Sequence, residues 1–584
     1  MLKRWVVKGV KDQCIVEKLA QSLNIDPILA GLLYQRDVNN YCEAKDFFRP
    51  SLDSLHDPFL MKDMDKAIKR IEEAIDSGEK ILVYGDYDVD GTTAVALVYS
   101  FLKEFYDNLE FYIPDREKEG YGISTLSIDY AASNNISLII SLDCGVKANK
   151  QIQYAKDKGI EFIVCDHHRP GLELPPAVAI VDPKQEDCNY PYNELSGCGL
   201  GFKLAQAFYI KNNKPFKELD KYLDLVVVSI AADIVPITGE NRILAYYGLK
   251  RLNLNPRPGF ESILFYSNIL RKSVADETTV FTKEINVSDL MFLIGPRINA
   301  AGRIHEAKKA VELLVCEEMK QTHELSQKIN DNNLKRRSLD TNITQEALEM
   351  INSNKELRGM KSTVLFNPNW HKGVIGIVAS RLIETYYRPT VILTQSNGTI
   401  TGSARSVKDF DVYDAIDACS EFLDHFGGHK YAAGLSLSPE NLVDFQKTFQ
   451  EYVENTITEE ILVPVIEIDT EIKLSQIDNK FFRVLKQFSP HGPGNPSPTF
   501  LAKSVRTKGY PKIVGKNHLK FKVIQEENSF NEIGVIAFQQ LKHFEVVASN
   551  KPFDIVFSLE ENCWNGTKSL QLNVKDIKPS EPAE

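Results

Sequence analysis

Asp86, Asp88, Asp90 and Gly91 follow the apolar run Ile81-Leu82-Val83-Tyr84, and Asp143 follows Leu138 to Leu142. Asp166-His167-His168 follows Glu161 to Cys165, and Asp233 ends the run from Leu225 to Ala232. Carboxylates gathered this densely cannot all stay ionised unless cations neutralise them. An oxygen-rich set with one or two imidazoles suits Mn2+ or Mg2+ better than zinc or copper. Two such ions ~3.5–4 Å apart would clamp the attacking and leaving oxygens of a phosphoryl displacement. The chemistry in prospect is hydrolysis of a phosphate ester or anhydride.

The runs themselves must bring these residues together. Each is short, apolar and rich in β-branched residues, and each is expected to be a buried strand of a parallel sheet, the run before Asp233 included. Parallel sheets place ligands at the carboxyl ends of their strands. On an extended strand end, Asp86, Asp88 and Asp90 would face one side. Gly91 would allow a tight turn into a helix starting at Gly91-Thr92-Thr93, with Ala94, Leu97, Val98 and Leu102 inward. Taken singly, the acidic hexad reads equally as an Asp-rich turn or a calcium loop, and Asp143 or Asp233 as a helix N-cap. The conjunction points to a metal site.

The chain has 584 residues, 43% hydrophobic and 26% charged, which implies roughly three or four domains. The expected divisions are a helical lead-in over 1–61, an α/β catalytic domain over 62–305 and connecting helices over 306–355. A smaller α/β domain over 356–456 and a β-barrel of the OB type over 457–584 complete the series. The barrel strands are expected at Val463 to Ile468, Leu519 to Ile524, Ile533 to Phe538, Phe553 to Leu559 and Leu570 to Val574. Nine scattered cysteines without a CxxC pair argue against a disulfide framework and fit a reducing cytoplasm. No apolar segment suggests a signal peptide or a membrane span.

The net charge of −11 speaks against a nucleic-acid partner, but its distribution is uneven. Residues 501–524 contain no Asp or Glu, and carry Lys503, Arg506, Lys508, Lys512, Lys516, Lys520 and Lys522 with Tyr510 and Phe521. Cations interleaved with aromatics can track a phosphate backbone and stack unpaired bases, so Lys503, Arg506, Lys508, Tyr510, Lys520 and Phe521 are candidate strand-binding residues.

The triad Asp166-His167-His168 resembles that of the DHH phosphoesterase superfamily. Gly427-Gly428-His429 with Ala432-Ala433-Gly434 resembles the signature of the associated DHHA1 domain. Further segments, Pro296 to Arg303, Trp370 to Gly376 and Gly402-Ser403-Ala404-Arg405, look like motifs of the RecJ family within that superfamily. Its members are bacterial single-strand-specific 5′→3′ DNA exonucleases. The resemblance implies a two-metal nuclease run with Mn2+ or Mg2+, acting in DNA repair and recombination. Asp88, Asp90, Asp143, His167, His168 and Asp233 would be metal ligands, with Asp143 bridging. Asp86 would be an outer ligand or a water-orienting base, and Asp166 would orient an imidazole. Ser403, Arg405, Gly428 and His429, with Arg116, Arg297 and Arg303, are candidate phosphate contacts for the 5′ end. Tyr84 stands where pyrophosphatase-like relatives carry His, which favours the nuclease branch. A monomer acting on single-stranded DNA is expected, with single-strand-binding protein and a RecQ-type helicase as partners by analogy. Competing readings are a phosphodiesterase for short oligonucleotides or cyclic dinucleotides, and a scaffold without catalysis, which would lack ligands.

Overall fold

The computed structural model describes residues 3–116, 118–303, 307–525, 532–564 and 567–580, apart from the side chains at 303, 563, 564 and 567. By contact density the chain forms two units, one of residues 8–332 with 469–584, the other of residues 1–7 with 333–468.

The first unit is built on a five-stranded, all-parallel sheet. Its strands run Leu109–Tyr112, Lys80–Gly85, Ile136–Leu142, Glu161–Cys165 and Ala179–Val181 across the sheet. Lys80–Gly85 and Ile136–Leu142 are buried almost throughout, which is why their sequences are unbroken apolar runs rather than alternating ones. The strand order reverses direction between these two, so the switch point that favours a ligand site lies between the ends carrying Asp86 and Asp143.

Two expectations need correction. Residues 225–232 are not a strand: Leu223–Ala232 is an α-helix buried on all sides against the helices Val89–Lys103, Gly197–Lys211 and Gly239–Leu254. A short apolar run cannot distinguish a buried strand from a helix enclosed by other helices. Nor do Asp86, Asp88 and Asp90 alternate along a strand. The strand stops at Gly85, and the helix starts at Val89 with Asp88 as its N-cap, accepting from the Gly91 N–H at 3.1 Å. Gly91 is needed for close approach: a Cβ there would stand 2.4 Å from the Asp86 carbonyl oxygen.

The same unit contains a closed barrel. Phe500–Val514 pairs with both His518–Ile524 and Phe553–Trp564, and Ile533–Ala537 and Thr567–Pro579 complete the ring. The 15-residue strand Phe500–Val514 escapes sequence reading because Gly509 and Pro511 interrupt its pattern at a register shift. The expected first barrel strand does not belong to the barrel. Val465–Ile468 pairs in parallel with Arg4–Val7, and both strands belong to the second unit. Arg242 fastens barrel to catalytic part, donating to the carbonyls of Phe47, Gln487, Phe488, Ser489 and Pro490 with its guanidinium 3.8 Å from the Phe47 ring centroid. The Ile237 N–H also donates to the Pro493 carbonyl at 2.7 Å.

In the second unit a five-stranded mixed sheet is ordered His425–His429, Ala432–Leu437, Thr399–Arg405, Thr390–Ser396 and Thr363–Phe366. The helices Ile375–Thr385 and Leu442–Thr456 contribute to its cores. The 35-residue helix Met319–Ser353 enters it, and there the buried Asp340 pairs with Arg381 at 2.8 Å and Arg336 at 3.5 Å.

Candidate metal centre and strand-binding residues

Three carboxylates converge on His167. Its Nε2 lies 3.0 Å from Asp143 Oδ1, 3.6 Å from Asp233 Oδ2 and 3.7 Å from Asp90 Oδ2. Among the described residues two overlapping groups have ligand atoms close enough to hold an ion, Asp143 with His167 and His168, and Asp90 with His167 and Asp233. Asp143 is placed by a left-handed residue (φ 59) at the strand end, a conformation Asp tolerates. Gly197 lets it in, since a Cβ on that glycine would come 2.6 Å from the Asp143 Cβ.

Asp90 sits in the first turn of its helix, where the dipole favours an anion. Its carboxylate is cradled by the N–H groups of Gly197 (2.7 Å) and Cys198 (2.8 Å) and by the Ser229 hydroxyl (2.7 Å). Asp166 works differently. Oδ1 accepts from the His167 and His168 N–H groups and from His168 Nδ1 at 2.7 Å, and Oδ2 from the Val146 N–H. Burial pushes Asp166 up, but these bonds and the His168 charge outweigh it and hold the carboxyl below its usual range. Burial likewise disfavours the His168 cation, yet Asp166 raises that imidazole above its ordinary value.

The remaining carboxyls are under strain as a set. Burial, then the neighbouring Asp88, push Asp86 up to about 8. Burial, then Asp90 and Asp88, push Asp233 up to about 8. Burial and the adjacent acids also raise Asp88 and Asp143. Among the described residues Asp86 Oδ1 and His167 Nδ1 are buried without a hydrogen-bond partner. Crowded carboxylates and orphaned polar atoms in one place fit divalent cations.

Several residues beside this centre were not singled out by sequence. Tyr121 is 57% exposed, with its hydroxyl 3.3 Å from His168 Nε2 and 3.4 Å from the Asp143 carbonyl oxygen. Ser196, Gly197 and Cys198 start the helix behind Asp90, and the small-residue run Ser196-Gly197-Cys198-Gly199 was the only available signal. Ile234, next to Asp233, has φ 62 and is 57% exposed. For a β-branched residue such a backbone costs roughly 1–3 kcal/mol.

The phosphate candidates separate into two groups. In the second unit, Arg405 Nη1 donates to Ser403 Oγ at 3.0 Å. A Cβ on Gly376 would come 2.9 Å from both Arg405 Nη2 and Ser403 Oγ, so that glycine leaves the guanidinium room. Arg405 is in register with Ala432, which is in register with His429, so sheet pairing brings His429 and Gly428 to the same region. In the first unit, Arg116 lies 5.3 Å from the Tyr87 ring centroid. Arg297 is only 8% exposed, with Nη1 donating to the Leu293 carbonyl at 2.7 Å and Nη2 to that of Tyr266 at 3.2 Å. The side chain of Arg303 falls outside the described residues.

On the barrel, Lys508 is in register with Lys522, and Lys512 with Lys520. The first pair shares Glu532 (3.4 Å from Lys508), and Lys503 pairs with Glu471 at 2.8 Å. Among the described residues no carboxylate pairs with Lys512 or Lys520, although like charges facing across strands repel. Arg506 donates to the Asn550 carbonyl at 2.7 Å, and Tyr510 is 74% exposed against the edge of Phe544. Phe521 must be withdrawn as a stacking residue. It alternates with the exposed Lys520 and Lys522 and so faces the barrel core, packed near Phe553.

Sequence comparison resolves the family. The DHH family N-terminal domain matches residues 80–230, the DHHA1 domain 359–455 and the RecJ OB domain 468–576. The chain is 36% identical to the single-stranded-DNA-specific exonuclease RecJ of Bacillus subtilis, over 99% of this chain and 71% of that protein. It is 32% identical to the Haemophilus influenzae exonuclease of the same name, over 96% and 98% of the two chains. The chain belongs to the RecJ family. RecJ of Thermus thermophilus in complex with Mn2+ superposes with a TM-score of 0.82 at 26% identity, covering 100% of this chain and 80% of that one. The Mg2+ complex of the same RecJ gives 0.76 at 25% identity, covering 99% and 79%. Those two Thermus thermophilus structures hold the ions that the carboxylates here lead one to expect. Among the described residues no helix is long and apolar enough to cross a membrane.

Proposed function

We propose that this chain hydrolyses single-stranded DNA from its 5′ end, releasing nucleoside 5′-monophosphates, with two Mn2+ or Mg2+ ions at the carboxylate cluster. The observation that carries the reading is the convergence of Asp90, Asp143 and Asp233 on His167 Nε2 at 3.0–3.7 Å. Asp88, Asp90, Asp143, His167, His168 and Asp233 would hold the ions, which when bound supply Lewis acidity and a water of lowered pKa.

The chain's own residues do the positioning. Asp166, an acceptor only, keeps the proton of His168 on Nδ1 and so leaves Nε2, 3.3 Å from the Tyr121 hydroxyl, as the nitrogen available to an ion. Main-chain N–H groups of Gly197 and Cys198 hold the Asp90 side chain in place. Asp86, whose carboxyl is pushed up by burial and by the neighbouring Asp88, would, once the bound cations favour its ionised form, orient a water or accept its proton. Hydrolysis joins the water oxygen to phosphorus and breaks the bond to the 3′ oxygen of the first nucleotide, which leaves protonated. The shortened strand therefore keeps a 5′-phosphate. Ser403 and Arg405, with Gly428 and His429, would hold such a terminal phosphate, and that contact would set the polarity. Arg116, Arg297 and Arg303 are proposed further contacts, Arg297 by the small part of it that is exposed. The cationic barrel face around Lys512 and Lys520 would hold the strand further along.

A role in repair and recombination, a cytoplasmic location, a monomeric state and contacts with single-strand-binding protein and a RecQ-type helicase rest on the family resemblance. The deciding experiment is digestion of an oligonucleotide labelled at either end with Mn2+, Mg2+ or EDTA. Mononucleotides released first from the 5′ end, only with metal and not from blunt duplex, are the expected result. Cleavage confined to dinucleotides would refute the proposal.

A further inference from the structure

Helices commonly end on a left-handed residue just past the C-cap, and that position is normally Gly or Asn because a Cβ is penalised there. The helix Leu223–Ala232 has Asp233 as its C-cap, and the left-handed residue that follows is Ile234, φ 62. A turn required only to end the helix would not select a β-branched residue. Nor does the side chain serve the core: Ile234 is 57% exposed, while Val235 and Ile237 beyond it are 8% and 1% exposed.

The strained turn is held from both sides. The Asp233 N–H donates to the Ser229 carbonyl at 2.9 Å, and Asn241 Nδ2 to the Pro236 carbonyl at 3.0 Å. The Ile237 N–H is bound to the Pro493 carbonyl, and Gly492 packs so tightly that a Cβ there would meet Ile237 Cδ1 at 2.5 Å. Strain maintained by its surroundings is a mark of function. What it presents is a branched apolar group one residue from a carboxylate that lies 3.6 Å from His167 Nε2.

We propose that Ile234 is a specificity-determining residue whose side chain packs on the deoxyribose and base face of the strand beside the scissile phosphate. The inference rests on the nuclease reading above. An apolar contact of this kind is tolerant of sequence. It also favours single strands, because a duplex keeps its base faces stacked and out of reach.

The test uses the full chain with Mn2+ and a 5′-phosphorylated single strand, comparing Ile234→Gly, Ile234→Asn and Ile234→Val. Gly and Asn relieve the backbone and remove the apolar group, whereas Val keeps the group and the strain. For Gly and Asn, KM should rise about tenfold with kcat within about twofold of wild type, the loss of one buried aliphatic side chain. Their melting temperature and Mn2+ affinity should not fall, and Val should stay within about twofold of wild type throughout. Unchanged KM in the Gly and Asn variants, or a loss that tracks a lowered melting temperature or weakened Mn2+ binding, would overturn the proposal. Inactivity of the wild-type chain on single strands would instead remove the nuclease reading itself.

Discussion

The Nδ1 atom of His168 and the Oδ1 atom of Asp166 lie 2.7 Å apart, and the same oxygen caps the N–H groups of both histidines. One carboxylate therefore fixes the main chain and a ring orientation together. Asp166→Asn should lower activity and Mn2+ affinity by about 10–100-fold, the usual loss for a group that orients a ligand. Mn2+ titration beside circular dichroism tests this; weakened binding in a chain with unchanged folding is the expected outcome.

Stability should depend on pH in opposite senses with and without metal. Asp86 and Asp233 are raised to about 8, well above an unfolded carboxyl. Without metal, the stability they contribute is complete below about pH 4 and is lost as pH rises through about 8. In EDTA the melting temperature should fall between pH 6 and pH 9. With saturating Mn2+, which needs the ionised carboxylates, the fall should vanish or reverse. Parallel curves in the two conditions would mean that the ion does not bind at this carboxylate cluster.

Gly197→Ala forces a methyl group into the space of Asp143, 2.6 Å from its Cβ. Overpacking of this kind costs about 1–3 kcal/mol. The displaced group is a proposed ligand, so activity should fall further than stability does. Calorimetry and turnover measured on one preparation separate the two effects.

Arg405→Ala should abolish any preference for 5′-phosphorylated over 5′-hydroxyl strands, because the guanidinium, beside Ser403, loses its phosphate contact. Competition between the two substrates reads this out. A preserved preference would place phosphate recognition elsewhere.

Lys512 and Lys520 face one another without a carboxylate partner among the described residues. Replacing both with Ala should reduce the salt dependence of single-strand affinity by about 1.4 in log–log slope and leave kcat unchanged. Phe521→Ala, in contrast, should destabilise the barrel by about 3–5 kcal/mol without a selective effect on binding. Filter binding over a salt series and thermal melting distinguish the cases.

The sheet and most of the cluster are legible in sequence because Ile81 to Tyr84 and Leu138 to Leu142 are buried on both faces. The residue type of Asp233 marks it as a ligand while its element stays hidden, since a helix enclosed by helices has the same apolar run as a strand. The inward face of Phe521 is legible too, since Leu519, Phe521 and Val523 alternate with Lys520 and Lys522; composition suggests a stacking residue, and the period of two contradicts it. The cradle of Asp90 could not be read, because its donors stand more than a hundred residues away and only tertiary structure unites them. The left-handed turn at Ile234 leaves no trace in residue type, since it contradicts the residue's preference.

The pairing of Arg4–Val7 with Val465–Ile468 has a practical consequence. The chain passes between its two units at 7/8, 332/333 and 468/469. No single cut can therefore release either unit as one continuous piece. A fragment spanning 333–468 alone would leave Val465–Ile468 as a bare edge, open to pairing with another copy. Recombinant versions of that unit should stay soluble only when the first seven residues are supplied, fused or in trans.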